Sequence, residues 1–272
     1  LSPSYALGFG LMGIVLPIIV KNYNWRWGWI LLGIAGILLI AINFLLLRDD
    51  PEKMGLLPWG ETSKMEFVSS IHEKSIHTMN ILRKRAFWVI SISYLLISIG
   101  VYIISDFLVT YGVMELKVPY PTASGFITLM AVTSIAGGFI LMTVSDFLGR
   151  IKTLIFTHLL LMASILFIIF SKGNIGWLRL SVGCFGFFYG PIFPLYAACA
   201  RDYFEKEVAG TVIGLFTIFY GVGAMLGPIL GGYLSDLTHT FRWSYGLGAF
   251  CAWMSALVIT ALRNPSSIEK RD

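Results

Sequence analysis

Long apolar stretches separated by polar connections dominate the sequence, and each stretch has about the length that an α-helix needs to cross a bilayer. Backbone groups in hydrocarbon must be hydrogen-bonded within their own segment, which favours helices over irregular chain. The pattern therefore predicts an all-α membrane protein with eight transmembrane helices. Their approximate bounds are 4–21, 27–47, 86–112, 120–144, 153–171, 177–200, 209–235 and 242–262.

One connection is much longer than the others. Residues 48–85 are polar, carry charged residues at both ends and show no sustained apolar periodicity. Such a segment is typical of a linker between two helical bundles. It divides the chain into two helices within 1–47, a cytoplasmic linker at 48–85, a six-helix bundle at 86–263 and a short tail at 264–272.

The 20 Lys and Arg residues are distributed unequally between alternate connections. Most of them fall in the long linker and in the connections on the same side of the membrane. Cytoplasmic loops of membrane proteins carry such an excess, so we expect a cell-membrane protein with both termini in the cytoplasm. The same rule accounts for the net charge of +5, which therefore does not indicate a nucleic-acid partner.

Composition supports lipid as the main solvent and argues against an enzyme. Hydrophobic residues make up 57% of the chain and charged residues 13%, whereas about 25% of an ordinary soluble domain is charged. The apolar segments contain no paired carboxylates, no metal-ligand spacing and no nucleophile beside a base. We therefore expect no catalytic residues, no metal and no cofactor.

Asp106 is the one carboxylate well inside a predicted span, which makes it a candidate site for proton or cation coupling. A charge at that depth usually faces a cavity, although Asp106 could equally lie solvated at the outer interface. Polar residues precede it at helical spacing and define one face of the helix. They are Ser91, Tyr94, Ser98, Tyr102 and Ser105.

Aromatic residues on two later helices extend this candidate cavity. Tyr189, Phe193 and Tyr196 share one face of a helix that Pro191 and Pro194 interrupt, and Phe216 and Tyr220 form a similar pair on the next helix. Prolines free backbone carbonyls and permit bends near binding sites. We interpret these residues as a cavity wall or as aromatic packing, and the lone His158 as a hydrogen-bonded packing residue.

The segment from Ser145 to Lys152 follows the second helix after the linker and contains Asp146, Gly149 and Arg150. It resembles the short cytoplasmic loop signature of the major facilitator superfamily, with Met142 and Phe147 as departures. The resemblance implies a gating role for Asp146, Gly149, Arg150 and Lys152. It also implies a twelve-helix protein in two halves with nested inverted repeats, of which this chain would hold helices five to twelve.

Three further stretches are similar to the branch of monocarboxylate and oxalate–formate porters: residues 48–55, Phe87 with Trp88, and residues 209–211. This likeness implies a secondary transporter that moves a small solute, such as an organic anion or monocarboxylate, by alternating access with proton coupling or exchange. That branch often carries a membrane arginine where this chain has Gly137 and Gly138, so efflux of amphipathic drugs is an alternative. A second alternative is a non-transporting membrane protein, such as a sensor, or a truncated product.

Overall fold

The computed structural model describes residues 2–46, 81–171, 174–205 and 208–262, and every regular element within these residues is helical. A π-helical turn at Tyr111–Glu115 extends the third helix. The helices are α1 (Ser2–Asn22), α2 (Trp25–Leu46), α3 (Arg85–Thr110), α4 (Tyr120–Leu148), α5 (Arg150–Phe170), α6 (Ile175–Tyr189), α7 (Ile192–Tyr203), α8 (Ala209–Thr238) and α9 (Phe241–Ile259).

The predicted all-α class is confirmed, and six helical segments are long and apolar enough to cross a membrane. The other two predicted spans coincide with α1 and α9, so the count of eight stays a prediction. Most of the predicted linker and all of the predicted tail, 264–272, lie outside the described residues. The six segments are Trp25–Leu46, Arg85–Glu115, Tyr120–Leu148, Arg150–Phe170, Ile175–Tyr203 and Ala209–Thr238.

The chain divides into two compact units, one of residues 15–80 and the other of residues 1–14 with 81–272. In the first unit, α2 begins after Asn24, whose side chain accepts a hydrogen bond from the Arg26 amide at 2.9 Å. Apolar residues of α2 lie on every side of the helix, and its leucine and isoleucine side chains are exposed. Such a helix is apolar on every side because its solvent is lipid.

In the larger unit, α3 is the central helix and packs along both α8 and α9. Small residues make these crossings close. A methyl group added at Gly100 would lie 2.7 Å from the carbonyl oxygen of Gly248 on α9, and one added at Gly223 would lie 2.6 Å from that of Leu95 on α3. Backbones that approach so closely hold the intervening side chains in fixed positions.

The span predicted at 177–200 consists of two helices, because the chain breaks between Tyr189 and Ile192. Pro191 has no backbone N–H and cannot continue the hydrogen-bond ladder of α6. Pro194 lies in the first turn of α7, where the N–H groups have no helical acceptor, so it does not interrupt that helix. The break lies beside α4, since a Cβ at Gly190 would collide with the backbone of Ser134.

The π-helical end of α3 also fixes the start of α9. The Glu115 carboxylate accepts hydrogen bonds from the Thr240 hydroxyl at 2.7 Å and from the Phe241 amide at 2.9 Å. A negative charge is favourable at a helix N-terminus, where free N–H groups and the helix dipole point toward it. This contact ties α9 to α3 at one end of the unit.

Candidate functional site

Five of the tyrosines singled out from the sequence come together in the interior of the larger unit. The Tyr94 ring on α3 stacks on Tyr196 of α7, with centroids 4.0 Å apart, and lies 4.6 Å from Tyr220 of α8. Tyr102 meets Tyr220 edge-on at 5.8 Å, and Tyr189 interacts electrostatically with both Tyr94 and Tyr220. We call Tyr94, Tyr102, Tyr189, Tyr196 and Tyr220 the tyrosine cluster.

Contacts between α3 and α8 hold Tyr220 of the cluster in position. The Ser98 hydroxyl donates to the backbone carbonyl of Tyr220 at 2.7 Å, one turn above Tyr94 on the same face of α3. Gly223, one turn beyond Tyr220, lies against Ser98 and brings α8 close to α3. The predicted polar stripe of α3 therefore faces α8 and holds its tyrosine in register.

The Tyr94 side chain is 1% exposed, and its hydroxyl has no hydrogen-bond partner among the described residues. A buried hydroxyl without a partner costs on the order of 1–3 kcal/mol. The remaining cluster members vary in exposure: Tyr196 is fully buried, whereas Tyr102, Tyr189 and Tyr220 are partly exposed. The cluster therefore has an accessible side and one unsatisfied polar atom at its centre.

A fully buried polar network adjoins the cluster through Tyr196. The Tyr196 and Ser93 hydroxyls are 2.6 Å apart, and the Ser93 and Ser255 hydroxyls are 2.8 Å apart. The Ser255 hydroxyl also lies 3.2 Å from Nδ1 of His158. The network links α3, α5, α7 and α9, and His158 is therefore hydrogen-bonded, as the sequence interpretation expects.

Asp106 lies apart from the cluster. Its side chain is exposed, and the Ser105 hydroxyl donates to it at 3.3 Å. Tyr102, one turn earlier, reaches the cluster, whereas Asp106 is near the opposite end of α3 from Tyr94. The structure thus places Asp106 and Tyr94 toward opposite ends of α3.

Phe193 and Phe216 are not among the cluster contacts either. Phe193 is a partly buried packing residue. Phe216 is buried and stacks on Phe87 at 5.6 Å, with Phe204 edge-on at 6.2 Å. Phe216 therefore belongs to a separate aromatic group near the start of α3, one helical turn from Tyr220.

The loop signature forms an ion-pair group at the junction of α4 and α5. Arg150 pairs with Asp146 at 2.6 Å, its Nε lies 3.8 Å from Asp202 of α7, and it donates to the Ser145 hydroxyl. Gly149 makes the turn with φ of +89°, a left-handed conformation that glycine adopts without strain. The Lys152 side chain is exposed. Arg150 thus joins three helices at one end of the unit.

Comparison with known proteins decides the family. The family model described as the Major Facilitator Superfamily matches residues 2–228 and, in a second match, residues 115–272. These matches cover nearly the whole chain. The chain belongs to the major facilitator superfamily. It is therefore a multi-pass membrane protein of a transporter family and not an enzyme.

Two curated relatives of this superfamily chain align with 96% of its length. The Membrane sensor protein UhpC of Salmonella typhimurium is 27% identical over 286 positions, and that of Escherichia coli strain K12 is 28% identical over 286 positions. The alignments cover 61% and 62% of these two proteins. The chain thus spans about three fifths of the length of the curated relatives it matches.

A solved structure supports the same fold. The E. coli fucose:proton symporter FucP superimposes with a TM-score of 0.58 at 16% identity, over 89% of this chain and 55% of the symporter. At that identity the likeness concerns the fold alone.

Sequence reasoning missed the connection between His158 and the cluster. The interpretation treats His158 as a hydrogen-bonded packing residue and names no partner for it. Its hydrogen-bond partner is Ser255 of α9, 97 positions away in sequence, and Ser255 in turn bonds Ser93 of α3; both serines are unremarkable in apolar runs. A periodic serine stripe on α3 was the one available signal, and Ser93 lies off that stripe.

Proposed function

We propose that the chain forms part of a secondary transporter that binds a small-molecule solute at the tyrosine cluster and moves it across the cell membrane by alternating access. The observation that carries this proposal is the convergence of tyrosines from α3, α6, α7 and α8 around the unpaired Tyr94 hydroxyl. Superfamily transporters bind solutes between helices near the bilayer midplane. Aromatic faces with a few polar atoms are typical of small-molecule sites.

The proposed topology has eight spans, with α1 and α9 crossing the membrane as well, and both termini in the cytoplasm. Residues 1–47 would belong to an N-terminal bundle, 48–85 to the cytoplasmic linker, 86–263 to the C-terminal bundle with nested inverted repeats and 264–272 to the tail. The distribution of Lys and Arg supports this orientation. The Arg150 group would then lie on the cytoplasmic side, where breaking its ion pairs accompanies a change of access.

Coupling to protons or exchange completes this proposal, with Asp106 as one candidate coupling residue. Asp106 is exposed and lies one turn beyond Tyr102 of the cluster, which supports contact between its carboxylate and solvent. A carboxylate in a solvated cavity can take up and release a proton as access alternates. Solute uptake into liposomes at imposed pH gradients tests the coupling, and uptake that does not respond to the gradient would reject it.

The solute class divides into an organic anion, as the porter branch implies, and an amphipathic drug. A thermal-stability panel on the complete, detergent-purified protein separates them, with lactate and oxalate as the organic anions and tetraphenylphosphonium as the amphipathic compound. A solute that occupies the cluster should raise the unfolding temperature of the wild-type protein and not that of Tyr220→Ala. Equal stabilisation of both proteins, or no stabilisation by any compound, would reject the site.

A membrane sensor is the second candidate function, and the two UhpC relatives named as membrane sensor proteins favour it. A sensor would bind solute at the same cluster without net transport. Liposome uptake of the stabilising compound separates the two functions. Accumulation inside liposomes supports the transporter, whereas binding with no uptake supports the sensor.

A further inference from the structure

Three consecutive basic residues stand where the chain enters α3. Arg83, Lys84 and Arg85 are all exposed, and Arg85 is the first residue of a segment long enough to span the membrane. Helix stability does not explain them, because a helix N-terminus favours negative side chains over positive ones. We call Arg83, Lys84 and Arg85 the basic turn.

The side chain of Trp88 fixes the basic turn against the first turn of α3. Its indole Nε1 donates a hydrogen bond to the backbone carbonyl of Leu82 at 2.8 Å, and its ring meets Phe219 of α8 edge-on at 5.9 Å. The Trp88 and Leu82 side chains are nevertheless 46% and 47% exposed. Exposed tryptophans of membrane proteins are enriched at the boundary between hydrocarbon and headgroups. The three cations are therefore held beside an exposed apolar surface at the level of that boundary.

The end of α7 adjoins the basic turn. Nζ of Lys84 lies 5.4 Å from the ring centroid of Phe204, within the range of a cation–π contact. Phe204 is buried and packs edge-on against Phe216, so this contact rests on the aromatic group beneath it. Arg201, in the last turn of α7, is also exposed. Basic side chains from two helices thus meet at one end of the larger unit.

The acidic residues at this end of α7 do not cancel the positive charge. They are Asp202 and Glu205, and the Asp202 carboxylate lies 3.8 Å from Nε of Arg150. The basic turn and Arg201 together outweigh these two carboxylates and leave a net charge of +2. A ligand that matches this surface carries a negative group next to an apolar chain. A soluble anion or a nucleic acid would match the charge and leave the exposed indole without a partner.

We propose that the basic turn, Trp88 and the end of α7 form a binding site for an anionic phospholipid. The cationic side chains donate hydrogen bonds to the headgroup phosphate, and an acyl chain lies against Trp88 and Leu82. In the topology proposed above, the site faces the cytoplasmic leaflet, where anionic lipids are concentrated. The site needs neither transport nor a bound solute, so it stands independently of the proposed function.

Quenching of Trp88 fluorescence by brominated lipids tests the site in the complete protein, reconstituted into phosphatidylcholine vesicles. One set of vesicles contains a minor fraction of brominated phosphatidylglycerol, and the matched set contains the same fraction of brominated phosphatidylcholine. The signal of Trp88 is the difference between the wild type and Trp88→Phe. Each basic side chain near an anionic surface favours it about fivefold, so the anionic lipid should occupy the site at least about fivefold more readily at low salt.

Two variants separate charge from other effects. Replacing the whole basic turn, as Arg83→Gln, Lys84→Gln and Arg85→Gln together, should reduce the preference for the anionic lipid to less than about twofold. The matched control, Arg83→Lys with Arg85→Lys, keeps the net charge and should keep most of the preference. The wild type provides a further test without any substitution, because high salt screens exposed charges and should weaken the preference.

Trp253 of α9 is the matched reporter for lipid contact without a basic surface. Its side chain is 41% exposed, and no Lys or Arg lies within nine positions of it in the sequence. Its signal, taken as the difference between the wild type and Trp253→Phe, should be quenched equally by the two lipids.

Equal quenching of Trp88 by the two brominated lipids would overturn the inference, as would an equal preference for the anionic lipid at Trp253. A preference that survives neutralisation of the basic turn would also overturn it. If the neutralised variant does not fold, the salt series on the wild type decides, and a preference unchanged by salt counts against the site.

Discussion

The two ends of α3 bury their polar side chains to very different extents. Around Ser93 and Tyr94, hydroxyl groups from α7 and α9 meet the helix, and the side chains of these two residues are at most 1% exposed. Around Asp106, near the other end, the carboxylate is exposed and bonds one neighbouring serine. Burial of a polar residue in a membrane bundle thus depends on which helices cross near that residue and on whether those helices supply hydrogen-bond partners.

The comparison also separates the carboxylate predicted from sequence from the larger polar network. A carboxylate within an apolar run is the obvious coupling candidate from sequence, because a charge in hydrocarbon is costly. The structure gives the opposite end of α3 the larger polar network, built from neutral residues. Substitutions at the two ends should therefore change the free energy of unfolding by different amounts. The following four substitutions are ordered from the largest expected effect to the smallest.

Truncating Tyr196 to alanine should lower the free energy of unfolding in detergent by about 3–5 kcal/mol, since the change removes a buried ring and its hydrogen bond. Chemical denaturation followed by circular dichroism measures the difference. The control is Phe167→Ala on α5, whose ring is 60% exposed within the unit. Equal losses in the two variants would contradict the central position of Tyr196.

Gly100→Ala should destabilise the bundle by about 1–3 kcal/mol, because the new methyl group would press on the Gly248 carbonyl where α3 crosses α9. Gly246→Ala on α9 is the matched control, since a methyl group there has open space around it. Alanine normally stabilises a helix by about 0.5–1 kcal/mol over glycine, so the two variants should differ in sign. A stabilising Gly100→Ala would mean that the helices are not in close contact.

Tyr196→Phe should cost about 0.5–1.5 kcal/mol, because Ser93 keeps Ser255 as a partner when the phenolic hydroxyl is removed. The unfolding midpoint in the same detergent measures the loss. Tyr233→Phe, at an exposed position on α8, should change it by less than half as much. A neutral Tyr196→Phe would indicate that the 2.6 Å contact contributes nothing.

Asp106→Asn should leave stability within about 0.5 kcal/mol of the wild type, because the carboxylate is exposed and makes one local hydrogen bond. Its effect should appear instead in the pH dependence of solute uptake, if Asp106 takes part in coupling. Transport that keeps its full pH dependence in Asp106→Asn would assign coupling elsewhere.

Much of this architecture could be predicted from the sequence, because a membrane-spanning helix is recognisable from its own apolar residues. The lengths of the apolar stretches predicted the helices, and the spacing of Tyr94, Ser98 and Tyr102 predicted the face of α3 that points into the bundle. Pro191 marked the α6–α7 break, whereas Pro194 lies in the first turn of α7 and does not interrupt that helix. The separate aromatic group of Phe216 was not predicted, because it depends on contacts with Phe87 and Phe204 of other segments. The partners of His158 were also missed, because contacts between distant helices leave no periodic signal.

Affinity of the complete protein for a compound that stabilises it in the thermal panel tests the central claim most directly. Tyr94→Phe removes the buried hydroxyl at the centre of the tyrosine cluster, which has no hydrogen-bond partner among the described residues, and keeps the ring. If that hydroxyl bonds the solute, binding should weaken about three- to tenfold, with unfolding stability unchanged or slightly higher. Unchanged affinity in both Tyr94→Phe and Tyr220→Ala would show that the solute binds elsewhere.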